Sequence, residues 1–91
     1  MLYLNKMPDE WQMKVRQRIG RNLKRLRLQN DWSLNYMSSQ VGVNRAILWS
    51  WENATRSPQL CNILWLCKCT GWPLSEIIGR GRCVRPNWWA L

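Results

Sequence analysis

The side chains of this chain that could do chemistry are mainly cationic and aromatic. Fourteen Lys and Arg residues stand against five Asp and Glu, so the formal net charge is +9, and there are eight Trp but no Phe. Such an excess suits a polyanionic partner, either nucleic acid or an anionic membrane surface. The alternative is that the charge only keeps the protein in solution, but a small domain needs less charge for that. We therefore favour nucleic acid.

The residue types that catalysis or metal binding requires are scarce. The sequence has no histidine, no cluster of carboxylates and no nucleophile with a base close to it. The cysteines follow the pattern C-x5-C-x-C-x13-C from Cys61 to Cys83, which does not fit the paired C-x2-C of a structural zinc site. The sequence thus predicts a protein that is not an enzyme and has no metal and no cofactor.

Hydrophobic runs in the sequence are short. No stretch reaches 18 apolar residues, and the first twelve residues lack the apolar region of a signal peptide. We expect a cytoplasmic, nucleoid-associated protein with reduced cysteines and no membrane partner. A peripheral membrane role has weaker support, from Trp88 and Trp89 beside the basic residues of the tail.

A long amphipathic helix is predicted from residue 8 onwards, where a proline and two acids favour a helix start. Its apolar positions recur at steps of four and three: Trp11, Val15, Ile19, Leu23 and Leu26. Gly20 interrupts this helix, and it marks either the close approach of another helix or a bend. The basic residues of the other face are either solvated or a flank for DNA: Lys14, Arg18, Arg21, Lys24 and Arg25.

Two short helices in direct succession follow. Ser33 is suited to cap a helix over residues 34–40, and Gly42 to end it. Asn44 is suited to cap the next helix, Arg45–Glu52. A short helix, a tight turn and a second short helix form the plan of a helix-turn-helix.

Two more helices are predicted downstream, over residues 58–70 and Leu74–Ile78. The first has more apolar positions than one face can hold, so part of it should be exposed or lie in a subunit interface. The predicted fold class is all-α, a compact bundle of about five helices in a single domain that spans residues 1–91.

Residues 19–78 resemble the helix-turn-helix domain of the lambda and 434 repressor and Cro family. The matching segments stand in the family's order: Ile19-Gly20, LKRLR at 23–27, residues 33–42, Val43-Asn44-Arg45, Trp51-Glu52-Asn53, Pro58 and Leu74–Ile78. The resemblance implies a lambda-repressor-like DNA-binding domain with its core at 19–78. The first helix would extend in the N-terminal direction to about residue 8, and a basic, then aromatic, tail would occupy residues 79–91.

In this family the helix that corresponds to residues 45–52 enters the major groove. Positions i, i+1, i+4 and i+5 would carry the base-reading side chains, which are Arg45, Ala46, Trp49 and Ser50. Arg45 could grip guanine or only a phosphate, while Ala46 could touch a thymine methyl group. Trp49 either packs against thymine methyls and sugars or has a protein partner.

The resemblance also assigns supporting roles. Backbone contacts with DNA would come from polar residues near the helix ends: Ser33, Asn44, Asn53, Thr55 and Arg56. Arg27 and Glu52 would form a structural ion pair, although two separate solvated charges are the alternative. The sequence departs from the family's pattern at Leu34, where glutamine is frequent, at Ile47, where a small polar residue is usual, and at Ala54, where glycine is usual.

The expected function is that of a repressor-like transcriptional regulator of phage or bacterial type that binds specific double-stranded DNA. It would act as a homodimer through helices 4 and 5 and the tail. The alternative is a protein-interaction module on the same fold, such as an antitoxin or anti-repressor. That alternative depends on apolar side chains at positions expected to be exposed: Trp49, Cys61, Trp65, Trp88 and Trp89.

Overall fold

The structure, a computed structural model, describes residues 8–79, and these residues form helices and no strand. The helices are α1 (Asp9–Gln29), α2 (Leu34–Val41), α3 (Arg45–Glu52), α4 (Leu60–Thr70) and α5 (Leu74–Ile78). The predicted all-α class is therefore confirmed for this part of the chain. The predictions for Cys83, Trp88 and Trp89 lie outside the described residues. No described helix is long and apolar enough to cross a membrane.

Local capping fixes α2, α3 and the turn between them. The Ser33 hydroxyl accepts the Tyr36 amide at 3.0 Å, and the Asn44 side-chain oxygen accepts the Ala46 amide at 2.7 Å. Gly42 ends α2 with a φ of 72°, a left-handed conformation that glycine adopts without steric cost. The turn over residues 42–44 thus follows from short-range chemistry.

The core is assembled from one stripe of each helix. Its buried apolar side chains are Ile19, Leu23, Leu26, Met37, Val41, Leu48, Trp51, Ile63, Leu66 and Ile77. Burial of one such side chain stabilises the fold by roughly 1.5–3 kcal/mol. Leu48 and Trp51 are the apolar residues that α3 contributes to this core.

Helix α4 presents a row of apolar side chains to solvent, here called the α4 stripe: Leu60, Cys61, Leu64 and Trp65. Leu60 is 66% exposed, Leu64 48% and Trp65 47%. The indole N–H of Trp65 nevertheless donates to the carbonyl oxygen of Val41 at 2.7 Å, so one edge of this ring holds the end of α2.

Asn22 holds the short helix α5 against α1. Its buried side-chain amide donates to the carbonyl oxygens of Ile77 at 2.8 Å and Gly79 at 2.6 Å, which stand at the end of α5. Carbonyl groups at a helix C-terminus have no donor within the helix, so the Asn22 amide provides the hydrogen-bond donors that α5 lacks. Arg25 adds an ion pair with Glu76 at 3.6 Å, so Arg25 is not a purely solvated member of the predicted basic face.

Aromatic rings connect the segment between α1 and α2 with the segment between α4 and α5. The ring of Trp32, which precedes α2, stacks on Trp72, which precedes α5, with centroids 5.5 Å apart. The Tyr36 ring packs against the Trp32 ring, with centroids 5.4 Å apart. Such pairs contribute about 0.5–1.5 kcal/mol beyond their buried area.

Gly20 lies at the crossing of α1 and α3. A Cβ atom at this position would stand 2.6 Å from the carbonyl oxygens of both Trp51 and Glu52. Of the two explanations that the sequence left open, the close approach of another helix is therefore the one observed. The backbone of α1 touches the C-terminal end of α3 directly.

We predict that Gly20→Ala destabilises the protein. In an unobstructed helix interior this change would raise the free energy of unfolding by about 1 kcal/mol, through helix propensity. Here the added methyl group meets backbone atoms, so we expect a decrease of about 1–3 kcal/mol. Urea unfolding followed by circular dichroism measures the difference.

Gln17→Ala is the matched control, because Gln17 is exposed on the same helix. It should leave stability unchanged or slightly higher. A stabilising Gly20→Ala would show that α1 and α3 do not approach as closely as described.

Candidate nucleic-acid interface

A buried, bidentate ion pair fixes α3 against α1. Arg27 Nε donates to Glu52 Oε2 at 2.7 Å, and Arg27 Nη2 donates to Glu52 Oε1 at 3.0 Å. The two side chains are only 10% and 4% exposed. Arg27 Nη1 also donates to the Trp32 carbonyl at 2.8 Å. The ion pair expected from the sequence is present, and its surroundings make its role structural.

The opposite end of α3 is fixed by the turn. Ser38 Oγ donates to the carbonyl oxygen of Val43 at 2.6 Å, which ties the turn back to α2. Together with the Asn44 cap and the Arg27–Glu52 pair, this bond restrains α3 at both ends. A helix held in this way can present its outer side chains with little freedom.

Three of the four residues predicted to face outward on α3 do so. Arg45 and Ala46 are exposed, and Trp49 is 51% exposed. Arg45 and Trp49 are four residues apart, so their side chains stand next to each other on one face. These three residues, here called the outward face of α3, place a cation, a methyl group and an indole side by side.

The prediction that Ser50 belongs to this face is wrong. Ser50 is only 8% exposed, and its hydroxyl donates to the carbonyl oxygen of Ile47 at 2.6 Å. Five helical steps rotate a side chain about 140° from its starting direction, whereas four steps rotate it only about 40°. Trp49 therefore stays near Arg45, and Ser50 turns towards the protein interior.

The residues expected to touch the DNA backbone are all exposed, at the start of α2, the start of α3 and the loop after α3: Ser33, Asn44, Asn53, Thr55 and Arg56. The oxygens of Ser33 and Asn44 are already engaged as helix caps, which leaves their hydroxyl and amide hydrogens to meet a phosphate. The Asn53 amide donates to the Trp49 carbonyl at 2.9 Å, so part of its hydrogen-bonding capacity is used locally.

The loop after α3 contains an alanine where glycine would be easier. Ala54 has a φ of 62°, a left-handed conformation that costs an L-residue about 1–2 kcal/mol. The Ala54 amide bonds to the Trp51 carbonyl at 3.3 Å, and Arg16 Nε donates to the Ala54 carbonyl at 3.3 Å. The sequence offered no local signal for the Arg16 contact, because the two residues are 38 positions apart.

The cysteines of α4 do not form a metal site in the part of the chain that the structure describes. Cys61 is exposed, and Cys67 and Cys69 are half-buried free thiols. Burial raises the pKa of the Cys67 thiol, which favours the protonated form over the thiolate. Across residues 8–79, no three His, Cys, Asp or Glu side chains stand close enough to share a metal ion.

The sequence matches no protein-family model and no curated protein. The resemblance to the lambda and 434 repressor family therefore depends on the order and spacing of the residues described above.

We predict that Glu52→Gln strongly destabilises the protein. The substitution leaves the Arg27 guanidinium buried without its counter-charge, and loss of one partner of a buried pair costs about 3–5 kcal/mol. The decrease in the free energy of unfolding is measured by urea denaturation.

Glu10→Gln is the control, because Glu10 belongs to an exposed pair with Lys14 at 3.8 Å. That change should cost less than about 1 kcal/mol, and equal losses would contradict a structural role for the buried pair.

Proposed function

We propose that the protein is a sequence-specific double-stranded DNA-binding transcriptional regulator of the repressor type. In this proposal α2, the turn at 42–44 and α3 act as a helix-turn-helix, and α3 is the recognition helix. The observation that carries the proposal is the outward face of α3, exposed on a helix whose two ends are fixed. Its site of action would be the nucleoid.

The dimensions of α3 suit the major groove. The groove is about 12 Å wide, and an α-helix with its side chains is about 10–12 Å across. Arg45 is the first residue of α3, and in such complexes the N-terminal part of the helix lies near the base edges. Its planar guanidinium can donate two hydrogen bonds to O6 and N7 of one guanine.

Helix polarity supports the expected phosphate contacts. Neither α2 nor α3 has an acidic residue in its first turn, whereas α1 has Asp9 and Glu10 there. The partial positive charge at the N-termini of α2 and α3 is therefore not offset by a carboxylate within the first turn. A DNA phosphate placed at either end would receive backbone and side-chain hydrogen bonds.

The proposal includes a homodimer. The α4 stripe is uncharged, and two copies that each carry a net charge of +9 repel one another least across such a surface. Leu74 of α5 is also partly exposed and can extend the contact. A two-fold dimer would present two copies of α3 to half-sites about one helical turn of DNA apart.

The second candidate function is a protein-interaction module of the antitoxin or anti-repressor kind. The specific observation in its favour is that both the α4 stripe and Trp49 expose large apolar groups. Exposed aromatic side chains surrounded by polar ones are frequent in protein interfaces. Binding to DNA separates the two candidates.

We predict that affinity for duplex DNA falls steeply with salt and that Arg45→Ala removes most of the sequence preference. With about four phosphate contacts, an increase from 50 to 200 mM salt should lower the affinity on the order of a hundredfold. Loss of the Arg45 contact should cost about 1–3 kcal/mol on a selected sequence and little on random DNA. Fluorescence anisotropy with duplexes selected from a random pool measures both effects.

Arg21→Ala is the control for Arg45→Ala, since Arg21 is an exposed cation of α1. It should keep the preference for the selected sequence. The proposal fails if binding is insensitive to salt, or if no duplex is enriched from the pool. In that case the interaction module becomes the better explanation.

We predict that the protein is a dimer at micromolar concentration and that Leu64→Glu makes it a monomer. The substitution places a charge in the centre of the α4 stripe, where it would be desolvated on association. Light scattering after size-exclusion chromatography gives the mass. Leu28→Glu is the matched control, because Leu28 is 52% exposed on α1 and should leave the dimer intact. A monomeric unmodified protein would contradict a dimer through α4.

A further inference from the structure

The outward face of α3 contains little hydrogen-bonding chemistry. The side chains of α3 that are exposed are Arg45, Ala46 and Trp49. Arg45 has only donors, Ala46 has only a methyl group, and the Trp49 indole has one N–H and no acceptor. Two of the three groups that α3 can offer to another molecule are therefore mainly apolar.

Polar residues around this face are engaged within the protein. The Ser50 hydroxyl donates to the Ile47 carbonyl, and the Glu52 carboxylate is bound by Arg27. The Asn53 amide donates to the Trp49 carbonyl, and the Asn44 oxygen accepts the Ala46 amide. These bonds make Ser50 and Glu52 unavailable to bases, and they hold the backbone beneath Trp49 and Ala46 in a fixed position.

We propose that α3 reads C5-methyl groups of pyrimidines in the major groove, next to a guanine that Arg45 recognises. The inference rests on the proposed DNA-binding function. The C5-methyl of thymine is the one apolar group that normal base pairs present at the floor of this groove, and 5-methylcytosine carries a methyl at the same place. An apolar pair such as Ala46 and Trp49 discriminates by burying that methyl group.

The spacing of the residues limits where the methyl group lies. The Cβ atoms of residues four positions apart on a helix are about 5–6 Å apart, so the Arg45 and Trp49 side chains leave the helix about this far from each other. Successive bases of a strand are about 3.4 Å apart along the helix axis. We therefore place the methyl-bearing pyrimidine a few base pairs at most from the guanine.

A substitution series in the DNA tests this proposal without altering the protein. Duplexes are first selected from a random pool, and each T·A pair near the selected guanine is replaced singly by a uracil·A, cytosine·G or 5-methylcytosine·G pair. Thymine against uracil and 5-methylcytosine against cytosine differ only in the methyl group. We expect both comparisons to favour the methylated base by about fourfold at the contacted position, the effect of burying one such group.

Variants of the protein assign the effect to Trp49. In Trp49→Ala both ratios should fall to about one, while binding to DNA remains. Leu28→Ala is the control, since Leu28 on α1 has nearly the same exposure as Trp49, lies outside the α4 stripe and should keep both ratios. Anisotropy titrations at a single salt concentration give all the affinities.

The outcomes separate this inference from the function beneath it. If selected duplexes bind tightly but uracil equals thymine and cytosine equals 5-methylcytosine at every position, methyl reading is wrong and DNA binding stands. Ratios that persist in Trp49→Ala also overturn the assignment. If no duplex is enriched, the proposed function itself has failed.

Discussion

The Arg27–Glu52 ion pair determines how α3 sits on the rest of the molecule. Removing each of two charges from water costs several kcal/mol, and their mutual attraction offsets this desolvation energy only when the geometry is favourable. Here both Glu52 oxygens and three Arg27 nitrogens take part in hydrogen bonds. Gly20, two helical turns earlier on α1, lets the same end of α3 approach the backbone. One polar contact and one steric contact thus set the direction of α3.

Elements with local signals at both ends could be predicted closely from the sequence. The bounds of α3 and α5 agree with prediction, because Asn44 and Pro73 mark starts and Gly79 follows an end. Helix α4 begins two residues after the predicted start at Pro58. Its actual start is fixed by a reciprocal capping box between Gln59 and Asn62. The sequence prediction placed the start at the neighbouring Pro58 because proline is frequent in the first turn of a helix.

Contacts between distant residues could not be predicted in the same way. Asn22 looks like a surface residue of an amphipathic helix, but its partners are 55 and 57 positions away. The stacking of Trp32 on Trp72 likewise has no short-range signal. In the candidate site, the sequence identified Arg45, Ala46 and Trp49 as exposed. It misplaced Ser50 because a face defined by positions i, i+1, i+4 and i+5 is wider than the exposed part of α3.

Trp65 is both part of an exposed surface and part of the support of α2. Half of its surface is exposed in the α4 stripe, while its N–H holds the last carbonyl of α2, directly before the turn that leads to α3. A molecule that covers the stripe therefore contacts the residue that stabilises this turn. Thermodynamic coupling is reciprocal: a molecule that binds the stripe more tightly when the turn is ordered also shifts the turn towards its ordered state. The Trp65 ring is thus shared between the exposed α4 stripe and the end of α2, so one side chain belongs both to a surface and to the support of the turn.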